Sequence, residues 1–131
     1  MHINKESDYA VRIVRQLTVT GERTDAQRLA DTTEVSLRFL LKIMQKLVAA
    51  GIVVSYKGAH GGYTLSRPAS QITLREVIEA IEGPYRFSEC AGSGHGCNCS
   101  PTPVCLVHAV FDDITRTVTD KLERTTFDML V

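Results

Sequence analysis

Apolar residues recur at helical spacing through the first fifty positions, and three helices can be read from them. Ala10, Ile13, Val14 and Leu17 line one face of a helix over residues 5 to 19, which the stretch from Thr18 to Gly21 closes. Thr24-Asp25-Ala26-Gln27 has the form of a capping box and opens a short second helix through Leu29, Ala30 and Asp31, with a tight turn over Thr32 to Val35. Ser36 is a good N-cap for a third helix, whose predicted buried face is Leu37, Leu40, Leu41, Met44, Leu47 and Val48 and which Gly51 ends. Its outer face then presents Ser36, Arg38, Phe39, Lys42, Gln45 and Lys46. A short helix, a turn and a longer helix make the order of a helix-turn-helix, whose second helix enters the DNA major groove.

Beyond Gly51 the period changes. Residues 52 to 57, Ile-Val-Val-Ser-Tyr-Lys, are β-prone, and Gly58-Ala59-His60-Gly61-Gly62 supplies turn residues before a second short strand over Tyr63 to Ser66. This hairpin is a wing, and Lys57 and His60 near its tip are placed to meet phosphates or a narrow minor groove. Thr73-Leu74-Arg75-Glu76 offers another capping box, for a helix through Val77, Ile78 and Ile81 that Gly83-Pro84 terminates. After a linker of small and polar residues, Val107, Val110, Phe111, Ile114, Val118 and Leu122 recur at helical spacing from Val104 onward. That stripe is too long for one small domain to cover, so a helix of a second subunit is its expected cover; folding back on its own domain is the other way to bury it. The predicted fold is mostly α with a small β-hairpin wing: a winged helix-turn-helix over residues 1–83, a cysteine-rich loop over 84–103, and a long dimerisation helix with a C-terminal tail over 104–131.

Length and charge narrow the reading. At 131 residues the chain has the size of a single domain. Its zero formal charge hides an asymmetry: residues 1–67 hold ten Lys/Arg against six Asp/Glu, and residues 68–131 hold five against nine. A basic front and an acidic back suit a nucleic-acid reader joined to a separate regulatory half. The N-terminal residues lack the apolar core of a signal peptide and no apolar run is long enough to span a membrane, so a cytoplasmic location is expected. In that reducing compartment Cys90, Cys97, Cys99 and Cys105, with His108 three residues further on, read as metal ligands or redox-active thiols rather than as structural disulfides. No nucleophile elbow, phosphate loop or dinucleotide fingerprint is present, and Asp112-Asp113 has no acid–base partner, so no enzyme is predicted.

Several of these segments together resemble the Rrf-two family of bacterial winged-helix regulators: Ser7-Asp8-Tyr9-Ala10-Val11-Arg12, Ser36-Leu37-Arg38-Phe39-Leu40, Gly58-Ala59-His60-Gly61-Gly62-Tyr63, Leu74-Arg75-Glu76-Val77-Ile78 and Cys105-Leu106-Val107-His108. The resemblance implies a homodimer on a roughly palindromic double-stranded DNA operator, with the long C-terminal helices crossing at the interface. It also implies that members with three linker cysteines hold an iron-sulfur cluster, 2Fe-2S or 4Fe-4S, while others lack those cysteines and sense otherwise. By the family spacing Cys90, Cys99 and Cys105 are the ligands, leaving Cys97 as an extra thiol that could replace Cys99, add a fourth ligand or react with oxidants. Gly92, Gly94 and Gly96 would let the loop wrap a cluster. His108 is one candidate for the fourth ligand. Asp8 is the other, because in the nitric-oxide-sensing branch an acidic residue in the matching segment of the second subunit completes the site.

On the DNA side, Arg38 and Lys42 are expected at base edges with Ser36 and Phe39 assisting, while Lys46, Lys57, His60 and Arg12 are expected nearer phosphates. The expected function is transcriptional regulation that senses redox state, nitric oxide or iron-sulfur status. A zinc-dependent or thiol–disulfide regulator without a cluster is one alternative. An iron-sulfur carrier that does not act on DNA is another.

Overall fold

In the computed structural model, which describes residues 2–89 and 105–131, five helices and one hairpin surround a single core. Helix α1 (Lys5–Thr20) begins where the Asn4 side chain accepts from the Ser7 amide and ends on Gly21, whose left-handed φ of 65° lets its N–H return to the Leu17 carbonyl. Its Ala10, Ile13, Val14 and Leu17 are all buried, as the spacing predicts.

Helix α2 (Ala26–Thr33) opens on Asp25, whose carboxylate accepts from Arg28 N, so the predicted capping box at Thr24 is not formed. Thr24 is occupied elsewhere: its N–H and C=O pair with Tyr63 at 3.1 and 2.9 Å and tie the α1–α2 linker to the wing. The turn after α2 also falls later than the sequence suggests. The helix runs on through Thr32 and Thr33, whose hydroxyls donate to carbonyls one turn back, and it closes on Glu34 in the left-handed region at φ 56°.

Helix α3 (Leu37–Ala49) starts at Ser36 as predicted. Its buried face is Leu40, Ile43, Met44 and Leu47, so the stripe is rotated from the predicted one: Leu37, Leu41 and Val48 are exposed and Ile43 lies inside. A run this rich in apolar residues admits more than one stripe, and the direction from which α1, α2 and α4 pack against α3 selects among them. Strands β1 (Val53–Tyr56) and β2 (Gly62–Leu65) form the antiparallel wing, with Val53 opposite Leu65 and Tyr56 opposite Gly62.

Helix α4 (Leu74–Glu82) carries the predicted capping box between Thr73 and Glu76, and buries Val77 and Ile78. Helix α5 (Leu106–Arg124) is capped by Cys105 and buries none of its residues fully. Its inner side packs on α4, where Arg75 pairs with Glu79 at 3.0 Å and with Glu123 at 3.5 Å; these carboxylates, Glu79 foremost, raise the Arg75 guanidinium above its ordinary pKa. After α5 the chain returns to the winged region in a 3₁₀ turn at Phe127–Leu130. Phe127 is wholly buried among the helix residues, its N–H donating to Ile72 O at 3.1 Å. No helix among the described residues is long and apolar enough to cross a membrane.

Candidate functional site

The side of α3 opposite its buried residues carries Ser36, Arg38, Lys42 and Gln45, all exposed. Arg38 makes no hydrogen bond or ion pair among the described residues, so its five guanidinium donors are available to an incoming acceptor. Ser36 caps the helix, its hydroxyl accepting from Phe39 N at 3.4 Å. Phe39 is 46% exposed and meets Tyr9 of α1 edge-on, with ring centroids 6.3 Å apart. Arg12 and Lys5 both approach the Tyr9 ring at 5.7 Å, which gathers cations on the α1 side of α3.

Three predicted DNA contacts already hold partners. Glu6, in the first turn of α1, accepts from Lys42 Nζ at 2.5 Å through one carboxylate oxygen and from Lys46 Nζ at 2.8 Å through the other. These two lysine hydrogen bonds, reinforced by the lysine charges, lower the Glu6 pKa to about 2. Arg12 pairs with Asp8 one turn away at 2.9 Å. Sequence reasoning missed Glu6: it lies 36 and 40 positions from its lysines, and no local pattern signals a pairing at that separation.

The wing is held from below by a second residue the sequence did not mark. Arg23 stacks on the Tyr56 ring at 3.6 Å and donates to the His60 carbonyl at 3.0 Å. Lys57 and the His60 side chain remain exposed at the tip. At the base, Gly62 adopts φ +143°, and an added Cβ would lie 2.7 Å from the Thr24 carbonyl oxygen, so the wing joins the α1–α2 linker where only glycine fits.

At the head of α5, Cys105 is a half-buried free thiol that caps the helix without using its side chain, and the half-buried His108 follows three residues later. Cys90, Cys97 and Cys99 lie outside the described residues, as do the glycines between them. The segment leading to them is anchored on the same helix: Phe87 packs on Phe111 with ring centroids 5.1 Å apart and donates its N–H to Thr115 Oγ1 at 3.1 Å. Thiol and imidazole are donor types found in iron-sulfur ligation, so Cys105 and His108 fit such a set. Among the described residues no three His, Cys, Asp or Glu side chains come together, and a cluster would take its remaining ligands from Cys90, Cys97 and Cys99. Asp8 is engaged with Arg12 within its own helix.

A family model described as Rrf2, iron-dependent transcriptional regulator, matches residues 3–131. The chain is 33% identical to protein aau3 of Rhizobium meliloti, over all of this chain and 85% of that protein. It is 32% identical to the HTH-type transcriptional regulator IscR of Klebsiella pneumoniae, over all of this chain and 80% of that one. Among solved structures, CymR, titled the global cysteine regulator of B. subtilis, superposes with a TM-score of 0.80 at 25% identity, covering 99% of this chain and 95% of that one.

Proposed function

The chain belongs to the Rrf2 family of transcriptional regulators, and we propose that it reads DNA with α3 and the β1–β2 wing and is switched by a cysteine-ligated iron-sulfur cluster, 2Fe-2S or 4Fe-4S. The observation that carries the sensing half is the placement of Cys105. A free thiol heads α5 one helical turn before His108, and the segment bearing Cys90, Cys97 and Cys99 starts from Phe87, anchored on that same helix. In this reading Cys90, Cys99 and Cys105 are ligands and His108, or Asp8 of a second subunit, completes the set, with Cys97 the spare thiol. Such a cluster would supply reactivity toward oxygen, nitric oxide and redox-cycling oxidants, and dependence on iron supply.

The protein's own part is mechanical. Residues 84 to 89 and the head of α5 are coupled through Phe87, Phe111 and Thr115, and α5 is coupled to α4 through Arg75 and Glu123. Ligation through residues 90 to 108 would fix the position of α5. With Leu106, Val107 and Val110 at 78%, 58% and 57% exposure, α5 offers the apolar surface on which a homodimer would form. The spacing of two α3 helices on an operator then depends on how the α5 helices meet, and a coupling of about 1–3 kcal/mol is typical of such switches. Exposed, unpaired Arg38 on α3 supports the DNA half of the reading, since a guanidinium is the side chain best suited to a guanine edge.

The test is native mass spectrometry of the anaerobically purified full-length chain and of Cys105→Ala, together with affinity for a duplex selected from random sequence. The expected wild-type spectrum is a dimer with iron and matching sulfide. The variant is expected to lose them and to change operator affinity by roughly five- to 150-fold. Zinc in place of iron, or operator affinity indifferent to cluster loss, overturns the cluster switch. A thiol switch without a cluster is the second reading, favoured by the free Cys105 thiol and by Cys97, one cysteine more than the three-ligand set uses. An empty dimer that changes affinity on oxidation and shows alkylation-protected cysteines would establish it.

A further inference from the structure

Three cations sit on α3, at Arg38, Lys42 and Lys46, and two of them are bridged by one carboxylate. Glu6 gives one oxygen to Lys42 Nζ at 2.5 Å and the other to Lys46 Nζ at 2.8 Å. The backbone turn that carries this carboxylate is itself held in place. Asn4 N and Ser7 Oγ both donate to Glu82 Oε1 at the end of α4, and the Asn4 side chain caps Ser7 N at 2.8 Å, so the turn that carries Glu6 is pinned on both sides.

A free lysine has four rotatable bonds and a compact charge, and it reaches whichever phosphate is near; such contacts supply nearly all sequence-independent DNA affinity. A lysine with one donor held by a fixed carboxylate is different. Its position is set, its remaining two donors point away from the carboxylate, and the bridging negative charge discourages phosphates. We propose that Glu6 is a specificity-determining positioning residue, which turns Lys42 and Lys46 from mobile phosphate contacts into fixed donors and so raises the ratio of specific to non-specific DNA affinity. The inference rests on the reading of α3 as the groove-facing helix.

Removing the carboxylate has two effects of unlike reach. Loss of the negative charge favours every DNA register equally, whereas loss of lysine placement harms only the register in which that placement matters. Glu6→Gln in the full-length chain therefore separates them. Affinity is measured over a salt series for a duplex selected from random sequence by the wild-type protein and for a scrambled duplex of equal length, with circular dichroism to verify the fold. The expected result is tighter scrambled-duplex binding, a log–log salt slope steeper by about one phosphate contact, and a specificity ratio lowered severalfold. Unchanged affinities, or equal gains on both duplexes, overturn the proposal.

Arg38→Ala is the control for its foundation and should weaken binding to the selected duplex more than to the scrambled one. If it weakens both equally, the groove reading of α3 fails as well. If Arg38→Ala behaves as expected and Glu6→Gln leaves the ratio unmoved, the role of Glu6 alone is refuted.

Discussion

Glu6 shows how much one side chain can alter the reading of a surface. From the sequence, Lys42 and Lys46 are free cations on an exposed helical face; in the structure both face an acid from another helix. The pairing also ties this residue to pH. Its pKa in the folded chain is lowered from 4.5 to about 2, so its contribution to stability is fully present above pH 4.5 and is lost as pH falls toward 2. Urea unfolding of wild type and Glu6→Gln should accordingly show the wild type the more stable at pH 7, with the difference shrinking through that acid window. A difference that is constant with pH would show that the carboxylate is not what stabilises the contact. The places of Arg38 on the exposed face of α3 and of Cys105 at the head of α5 were legible from sequence, because helix periodicity and local position suffice to fix them. Glu6 and Arg23 were not, because their importance lies in contacts with distant segments.

At the scale of elements, start signals proved readable where a side chain caps its own helix and unreadable where the backbone is claimed by another element. Ser36 and Thr73 cap α3 and α4 as their motifs indicate. Thr24 has an equally good motif and does not cap, because Tyr63 of β2 takes its backbone groups. The wing therefore depends on a contact outside itself, at Gly62. Gly62→Ala would put a Cβ 2.7 Å from the Thr24 carbonyl oxygen at a φ of +143°, and should destabilise this attachment by about 1–3 kcal/mol. Hydrogen exchange at the Thr24 and Tyr63 amides would accelerate in the variant while that of the α3 core stayed near wild type. Unchanged exchange at these two amides would show that the bridge does not hold the wing.

For the molecule as a whole, the chain end matters more than its sequence suggests. Residues 125 to 131 carry no strong periodicity and read as a tail, yet Leu74 N donates to Thr125 O at 2.9 Å, Arg15 Nε donates to Leu130 O at 2.9 Å, and Phe127 is fully buried. The segment locks the exit of α5 to α1 and to the residues before α4, so a displacement of α5 has a short route to the winged region. Phe127→Ala should cost about 3–5 kcal/mol in urea unfolding, as for other large buried aromatics. A loss below about 1 kcal/mol would mean that the site collapses or that the C-terminal segment is not part of the cooperative unit.

The sequence by itself determined the helices, their order, the wing and the family, because these depend on residue periodicity, turn chemistry and short motifs that act over a few positions. It also placed four cysteines and two histidines within nineteen residues, the chemistry of any metal or thiol site. Only the tertiary structure decided which stripe of α3 is buried, which acid holds which lysine, and where the last seven residues pack. Those outcomes follow from contacts between segments far apart in the chain, where packing direction and charge placement choose among alternatives that local sequence leaves equal in energy.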